Sequence, residues 1–141
     1  VPSWLERGGG RFVVTASAAG LLATVGNAPY SVSKHAAVGF AEWLAITYGH
    51  RGITVQAICP QGVTTRMLDE AGPFKELLTR DGALSPDQVA ESVWQGLQEG
   101  EFLILPHPEV REYYVSRAAH TDRWIGSMQR IQRKVDEGSV G

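Results

Sequence analysis

Long apolar runs are missing from this 141-residue chain, and so are clustered cysteines, a dominant sign of charge and any opening stretch of signal-peptide character. Each absence excludes something. Without about 18 consecutive apolar residues, no membrane-spanning helix is expected. The one cysteine, Cys59, cannot form an internal disulfide, and four scattered histidines beside it make no metal-ligand cluster. Thirteen basic against fifteen acidic residues leave a net charge of −2, which gives no electrostatic footprint for nucleic acid. Residues 1–7, from Val1 to Arg7, lack the charge-then-apolar pattern of a secretion signal. A soluble cytoplasmic protein with no nucleic-acid, membrane or metal partner is the expectation. The length fits one domain, and a 43% apolar composition can supply a core.

What is there alternates between strand and helix. Phe12, Val13, Val14 and Thr15 give 11–16 the continuous β-rich character of a buried parallel strand, with Ser17 at its carboxyl end. A small, glycine-punctuated loop follows over 18–27. Pro29 then opens a helix at a position where proline is tolerated. On it Val32, Ala36, Phe40, Leu44 and Tyr48 make one apolar stripe, ordinarily the face that packs on a core, while Ser33, Ala37 and Gly39 make a smooth side. Residues 49–52 end that helix, and the β-branched stretch 53–59 reads as a second strand. Strand, helix and strand within about fifty residues form a right-handed crossover, with both carboxyl ends on the sheet edge where ligands of open parallel sheets bind. Ser17 and Pro60 are therefore expected as neighbours.

Downstream, 66–80 is broken by Gly72-Pro73 and predicts two short helices. Ser85 to Gln88 reads as a capping box, opening a helix through Val89, Val93 and Leu97 to Gly100. Residues 101–105 form a third strand closed by Pro106, His107 and Pro108. A helical tail over 109–141 holds amphipathic stretches, around Val110, Tyr113 and Tyr114, and at Trp124, Met128, Ile131 and Val135. It could cover the sheet, line a substrate entrance or pack on a partner subunit. The fold class is α/β, about three parallel strands with flanking helices.

Tyr30 and Lys34 carry the chemistry, together with Ser17 thirteen positions upstream of Tyr30. A helix turns once in about 3.6 residues, so a phenol and an ammonium at i and i+4 share a face. A phenol exchanges protons poorly at neutral pH until a nearby cation favours its ionised form, and Lys34 supplies the cation. A hydroxyl opposite the phenol, that of Ser17, can hold a substrate oxygen as charge develops on it. The Tyr-to-Lys spacing by itself is weak, since roughly one chain in ten of such composition carries it by accident. Its context is more specific: 11–22, with Thr15-Ala-Ser17-Ala-Ala-Gly20; 30–40, with Tyr30-Ser-Val-Ser-Lys34; and 53–65, with Pro60-Gln-Gly62-Val-Thr-Thr65, occur in that order.

Together these segments closely resemble the short-chain dehydrogenase/reductase family from about Arg11 to at least Leu105. The resemblance implies part of a Rossmann-like doubly wound parallel sheet and an NAD(P)-dependent oxidoreductase moving a hydride to or from an alcohol or carbonyl substrate. It implies that Ser17 orients the substrate oxygen, Tyr30 exchanges the proton, and Lys34 tunes Tyr30 and holds the nicotinamide ribose. Pro60, Gly62, Val63 and Thr65 would lie along the nicotinamide, with Tyr30 and Lys34 completing the cofactor contacts. Gln61 stands where the family has glycine. Met67, Leu68 and Phe74 imply an apolar substrate if they face the cleft, and core packing otherwise. The family's use of the 29–48 helix in subunit contacts implies a homo-oligomer, dimer or tetramer, of the full-length protein.

A glycine-rich turn between a first strand and first helix, the usual cradle for a dinucleotide pyrophosphate, is not among these residues. Gly8-Gly-Gly10 precedes a strand and reads as a flexible turn. The chain therefore reads as a single partial domain with the first half of the fold missing. The second expectation is a non-catalytic fragment or remnant with a structural or assembly role; a dehydratase, epimerase or lyase on the same scaffold is a third. Three residues take structural readings. His35 points away from Lys34 as a solvent-facing or structural residue, His107 is a rigid-turn residue, and Cys59 packs as a small apolar side chain.

Overall fold

A computed structural model describes residues 1–138. Three parallel strands form one sheet in the order β1 (Gly10–Thr15), β2 (Ile53–Ile58), β3 (Leu103–Ile104). β1 and β2 pair along their whole length, from Gly10 opposite Ile53 to Thr15 opposite Ile58. β3 adds only Leu103 opposite Ala57 and Ile104 opposite Ile58. It is shorter than the expected 101–105 because a side chain takes the place of the ladder: buried Gln56 donates from Nε2 to the carbonyls of Glu101 and Gly96, each at 2.9 Å.

The helix between β1 and β2, α2 (Ala28–Tyr48), starts on Asn27, whose Oδ1 accepts the Tyr30 N–H at 3.1 Å. It buries Val38, Ala41 and Leu44 against Ile53, Val55, Ala57 and Cys59 of the β2 segment, joined by Leu21 and Val110. The stripe read from the sequence packs only at its carboxyl end, where Leu44 is buried and Tyr48 lies against the core. Val32 is 68% exposed and Phe40 51%, and Ala36 is exposed too, while Leu44 is buried. Positions four apart drift by about 40° per step on a helix with 3.6 residues per turn, so a run of such steps winds from one side to the other. The expected smooth side divides likewise, with Ala37 packed on the core and Ser33 and Gly39 exposed.

The helix between β2 and β3, α5 (Pro86–Glu99), lies on the opposite face, where Gln56 and Arg11 reach its carbonyls at Gly96 and Leu97. Its capping box forms as expected: Gln88 N–H donates to Ser85 Oγ, and Ser85 N–H to Gln88 Oε1. Both crossovers step the same way across the sheet while their helices cover different faces, so they turn in opposite hands. β1 was expected to be buried on both faces. Instead its exposure alternates, with Arg11, Val13 and Thr15 exposed, because the face turned away from α2 is left largely uncovered at this strand.

The remaining elements are short or peripheral. α1 (Pro2–Glu6) sets Trp4 against Gly10 and Phe12. α3 (Arg66–Asp69) and α4 (Lys75–Thr79) are the two short helices expected in 66–80, separated by a 3-10 turn. The tail forms α6 (Glu109–Ala119) and α7 (Thr121–Asp136). Val110 is fully buried in the core, and no residue of α7 is buried. No helix among the described residues is long and apolar enough to cross a membrane.

Candidate active site

Ser17 follows β1 directly, and parallel pairing continues past it. Ala16 N–H donates to Ile58 O and Ala18 N–H to Pro60 O, each at 2.8 Å, so Ser17 is fixed between two ladder bonds and beside Pro60. The serine is 9% exposed, and its Oγ accepts the Ala19 N–H at 3.1 Å, capping a 3-10 turn over Ala18–Gly20. With its oxygen held by that acceptance, the hydroxyl proton remains to be donated.

Tyr30 and Lys34 occupy the first turns of α2, on the side that faces the sheet. The Lys34 ammonium stands 5.6 Å from the Tyr30 ring centroid, and both residues are half-buried. Among the described residues, neither the phenol oxygen nor the ammonium has a hydrogen-bond partner. Gly20 brings the Ser17 turn against this helix: a Cβ there would lie 2.6 Å from the Lys34 carbonyl oxygen, a contact only glycine avoids. Cys59, at the end of β2, registers the convergence. Burial pushes its thiol up to about 11, opposed by a hydrogen bond from the Ser17 backbone and by the Lys34 charge. The structure thus brings Ser17, Lys34 and Tyr30 to the carboxyl edge of β1 and β2. Two surface clefts, one centred on Gly96 and Arg111 and the other on Val115 and Ala119, are not lined by any of the three.

The Pro60–Thr65 loop follows β2, with Pro60 beside the Ser17 turn. Val63 bridges Leu84, with Thr64 N–H donating to Leu84 O at 2.9 Å and Leu84 N–H to Gly62 O at 3.0 Å. Thr65 Oγ1 donates to Val63 O at 3.3 Å. A Cβ on Gly62 would meet Leu78 O at 2.2 Å, so glycine is needed here for α4 to approach. Gln61 fits in place of the usual glycine because its side chain turns aside, donating to Asp81 Oδ2 at 3.2 Å. Its Oε1 is buried without a hydrogen-bond partner among the described residues.

Three loop supports were not singled out in the sequence as part of the site. His107, expected as a turn residue, is 2% exposed and bonded to both Gln61 and Gly62. Asp81 also accepts the Tyr113 hydroxyl at 3.0 Å, and burial, together with that bond, raises the Tyr113 phenol above its ordinary range. Leu84 contributes its backbone N–H and carbonyl. The available signal was position, since Pro106 to Pro108 follows a parallel strand at its ligand-facing end. His35 is structural. Its Nδ1–H donates to Ser31 O at 2.8 Å, which leaves Nε2 to accept from Arg117 Nη1 at 3.1 Å. The same Arg117 nitrogen bonds Leu21 O, and its guanidinium lies 5.0 Å from the Trp124 ring centroid, so the tail is tied to the loop between Ser17 and Tyr30. Phe74 lies over that loop, against Gly26, while Leu68 is buried and Met67 is 72% exposed.

The family model described as short chain dehydrogenase matches residues 1–76, more than half of the chain. The chain belongs to the short-chain dehydrogenase family. An uncharacterised NAD-dependent oxidoreductase of Mycobacterium tuberculosis is similar to it, 35% identical over 108 residues that cover 66% of this chain and 39% of that protein. A solved short-chain dehydrogenase/reductase from Burkholderia phymatum, in complex with NAD, is 27% identical with a TM-score of 0.71, covering 86% of this chain and 51% of the other. A short-chain dehydrogenase from Sphingobium yanoikuyae, in complex with NADPH, shares the fold at a TM-score of 0.67 and 23% identity, over 94% of this chain and 48% of its own. This short-chain dehydrogenase chain thus spans about half, or less, of the length of these relatives. Its three-stranded parallel sheet with flanking helices is the corresponding part of the Rossmann-like fold.

Proposed function

We propose that this chain carries the proton-transfer and nicotinamide-side part of an NAD(P)-dependent oxidoreductase acting on an alcohol or carbonyl substrate. One observation carries the reading: a phenol and an ammonium with no hydrogen-bond partner among the described residues share the sheet-facing side of α2, at the strand edge that also holds a serine whose hydroxyl proton is uncommitted. Ser17 donates to the substrate oxygen and orients it. Tyr30 gives a proton to that oxygen in reduction and takes it in oxidation, and the nearby positive charge of Lys34 stabilises the deprotonated phenol. The residues fit a nicotinamide nucleotide, NAD or NADP. The Lys34 ammonium and Tyr30 hydroxyl can hold ribose hydroxyls, and Pro60, Gly62, Val63 and Thr65 present a braced backbone beside them. When bound, the cofactor supplies or accepts the hydride. Phe74, over the loop between Ser17 and Tyr30, helps exclude water from an apolar part of the substrate.

Tyr30→Phe in the intact protein tests the roles. It is expected to lower kcat by about 10²–10⁴ while leaving cofactor binding within a small factor, as for the loss of a general acid or base. Unchanged turnover would refute the assignment.

A second reading is favoured by what the 141 residues do not contain, a glycine-rich strand, turn and helix to cradle a pyrophosphate. On this reading the chain by itself is a non-catalytic piece with a structural or assembly role. The outward face of α2, with Val32, Phe40, Trp43 and Ile46 exposed, suits either reading as a homo-oligomer contact.

A further inference from the structure

We propose that His107 is a positioning residue for the nicotinamide-side loop, holding Gln61 and Gly62 in place as a neutral imidazole protonated at Nε2; this rests on the oxidoreductase reading of that loop. The backbone N–H of Gln61 points at Nδ1 at 3.1 Å, and an N–H can only donate, so Nδ1 carries no proton. The other nitrogen lies 3.0 Å from the Gly62 carbonyl oxygen, which can only accept, so Nε2 carries the proton. One ring therefore fixes the Pro60–Gln61 and Gly62–Val63 peptide units, which flank the Gln61–Gly62 peptide, and the two contacts leave a single allowed tautomer.

The ring is itself held firmly. His107 is 2% exposed, it sits between Pro106 and Pro108 a short way past the end of β3 at Ile104, and its carbonyl accepts the N–H of fully buried Val110 at 3.1 Å. Gly62 O receives a second bond from Leu84 N–H, which fills both of its acceptor positions. The Gln61 side chain extends the brace to Asp81, and Asp81 to Tyr113 on α6. β3 and α6 therefore determine the path of a loop more than forty residues away in sequence. Such bracing matters because a preorganised backbone binds without first being ordered, and a misplacement of about 1 Å near reacting groups is costly.

Three substitutions in the intact protein test this, read by amide hydrogen exchange and by cofactor binding. His107→Leu removes both bonds and keeps apolar bulk; it is expected to speed exchange at least tenfold at Gln61 while β2 and α5 stay as protected as in the parent. The dissociation constant for NADH or NADPH is expected to rise in parallel. His107→Asn can present an oxygen near the Nδ1 position and His107→Gln an N–H near the Nε2 position, so Asn is expected to restore protection at Gln61 better than Gln does. Should His107→Leu not fold, the Asn and Gln comparison decides. Exchange unchanged in His107→Leu, or raised equally throughout the chain, would overturn the proposal, as would equal protection of Gln61 in the Asn and Gln variants. Nitrogen chemical shifts showing the proton on Nδ1 would do so too. Absence of cofactor binding in the parent protein would instead sink the oxidoreductase reading, while the exchange data still decide whether the brace exists.

Discussion

Cys59 shows how far local surroundings set the chemistry of a side chain. It lies beside Ser17 and within the field of Lys34, both of which favour a thiolate, yet burial outweighs them and carries the thiol from 9.0 to about 11. It is therefore a packing residue with little thiolate at neutral pH. Below pH 9 both folded and unfolded chains keep the proton. Between about 9 and 11 the unfolded chain releases it first, so stability falls as pH rises through that window, by about 2 kcal/mol in all. Urea unfolding at pH 8.5 and 11, compared between the parent and Cys59→Ala, should show this extra loss only in the parent. An identical pH dependence in both proteins would contradict it.

Helix α2 has two apolar sides with different uses. Val38, Ala41 and Leu44 fill the core, whereas Val32, Trp43 and Ile46 point away from it and half-exposed Phe40 lies at its margin, edge-on to Phe12 and stacked on Trp43 at 6.2 Å. Full burial of a large apolar side chain is worth about 1.5–3 kcal/mol, so covering several of them would drive association strongly. Tyr30 and Lys34 lie on the core side, so on the proposed reading subunit contact and catalysis would use different surfaces of one helix. Replacing Phe40 and Trp43 together by Asp should convert an oligomer to monomers in light scattering while helical circular dichroism stays the same. An unchanged mass would remove this face from the assembly.

For the molecule as a whole, the sheet edge holds a serine and a braced loop and α2 sets a tyrosine and a lysine beside it, but β1 is left half-covered on one face. A parallel sheet is ordinarily covered on both faces, and its edge strands offer unpaired backbone groups for pairing. Titration calorimetry with NADH and NADPH is expected to show weak binding to the 141 residues alone and binding tighter by at least tenfold, about 1.4 kcal/mol, once a strand, glycine-rich turn and helix are joined ahead of them. Tight binding by the 141 residues alone would count against the non-catalytic second reading. No gain on joining would count against the nucleotide site.

Local chemistry was legible in the sequence wherever it determined the local structure. The Ser85 and Gln88 capping box, the helix after Asn27, the strands at 10–15 and 53–58, the family, and the i, i+4 placement of Tyr30 and Lys34 all follow from residue type and spacing along one element. Partners far apart in sequence had to wait for the tertiary structure. Gln56 replacing part of the third strand's ladder, Arg117 joining Leu21 to His35, and His107 bracing Gln61 and Gly62 each depend on which segments meet in space. The direction faced by the apolar residues of α2 belongs with them, since periodicity reports that a helix has an apolar side, while the sheet it crosses decides which of two such sides is buried.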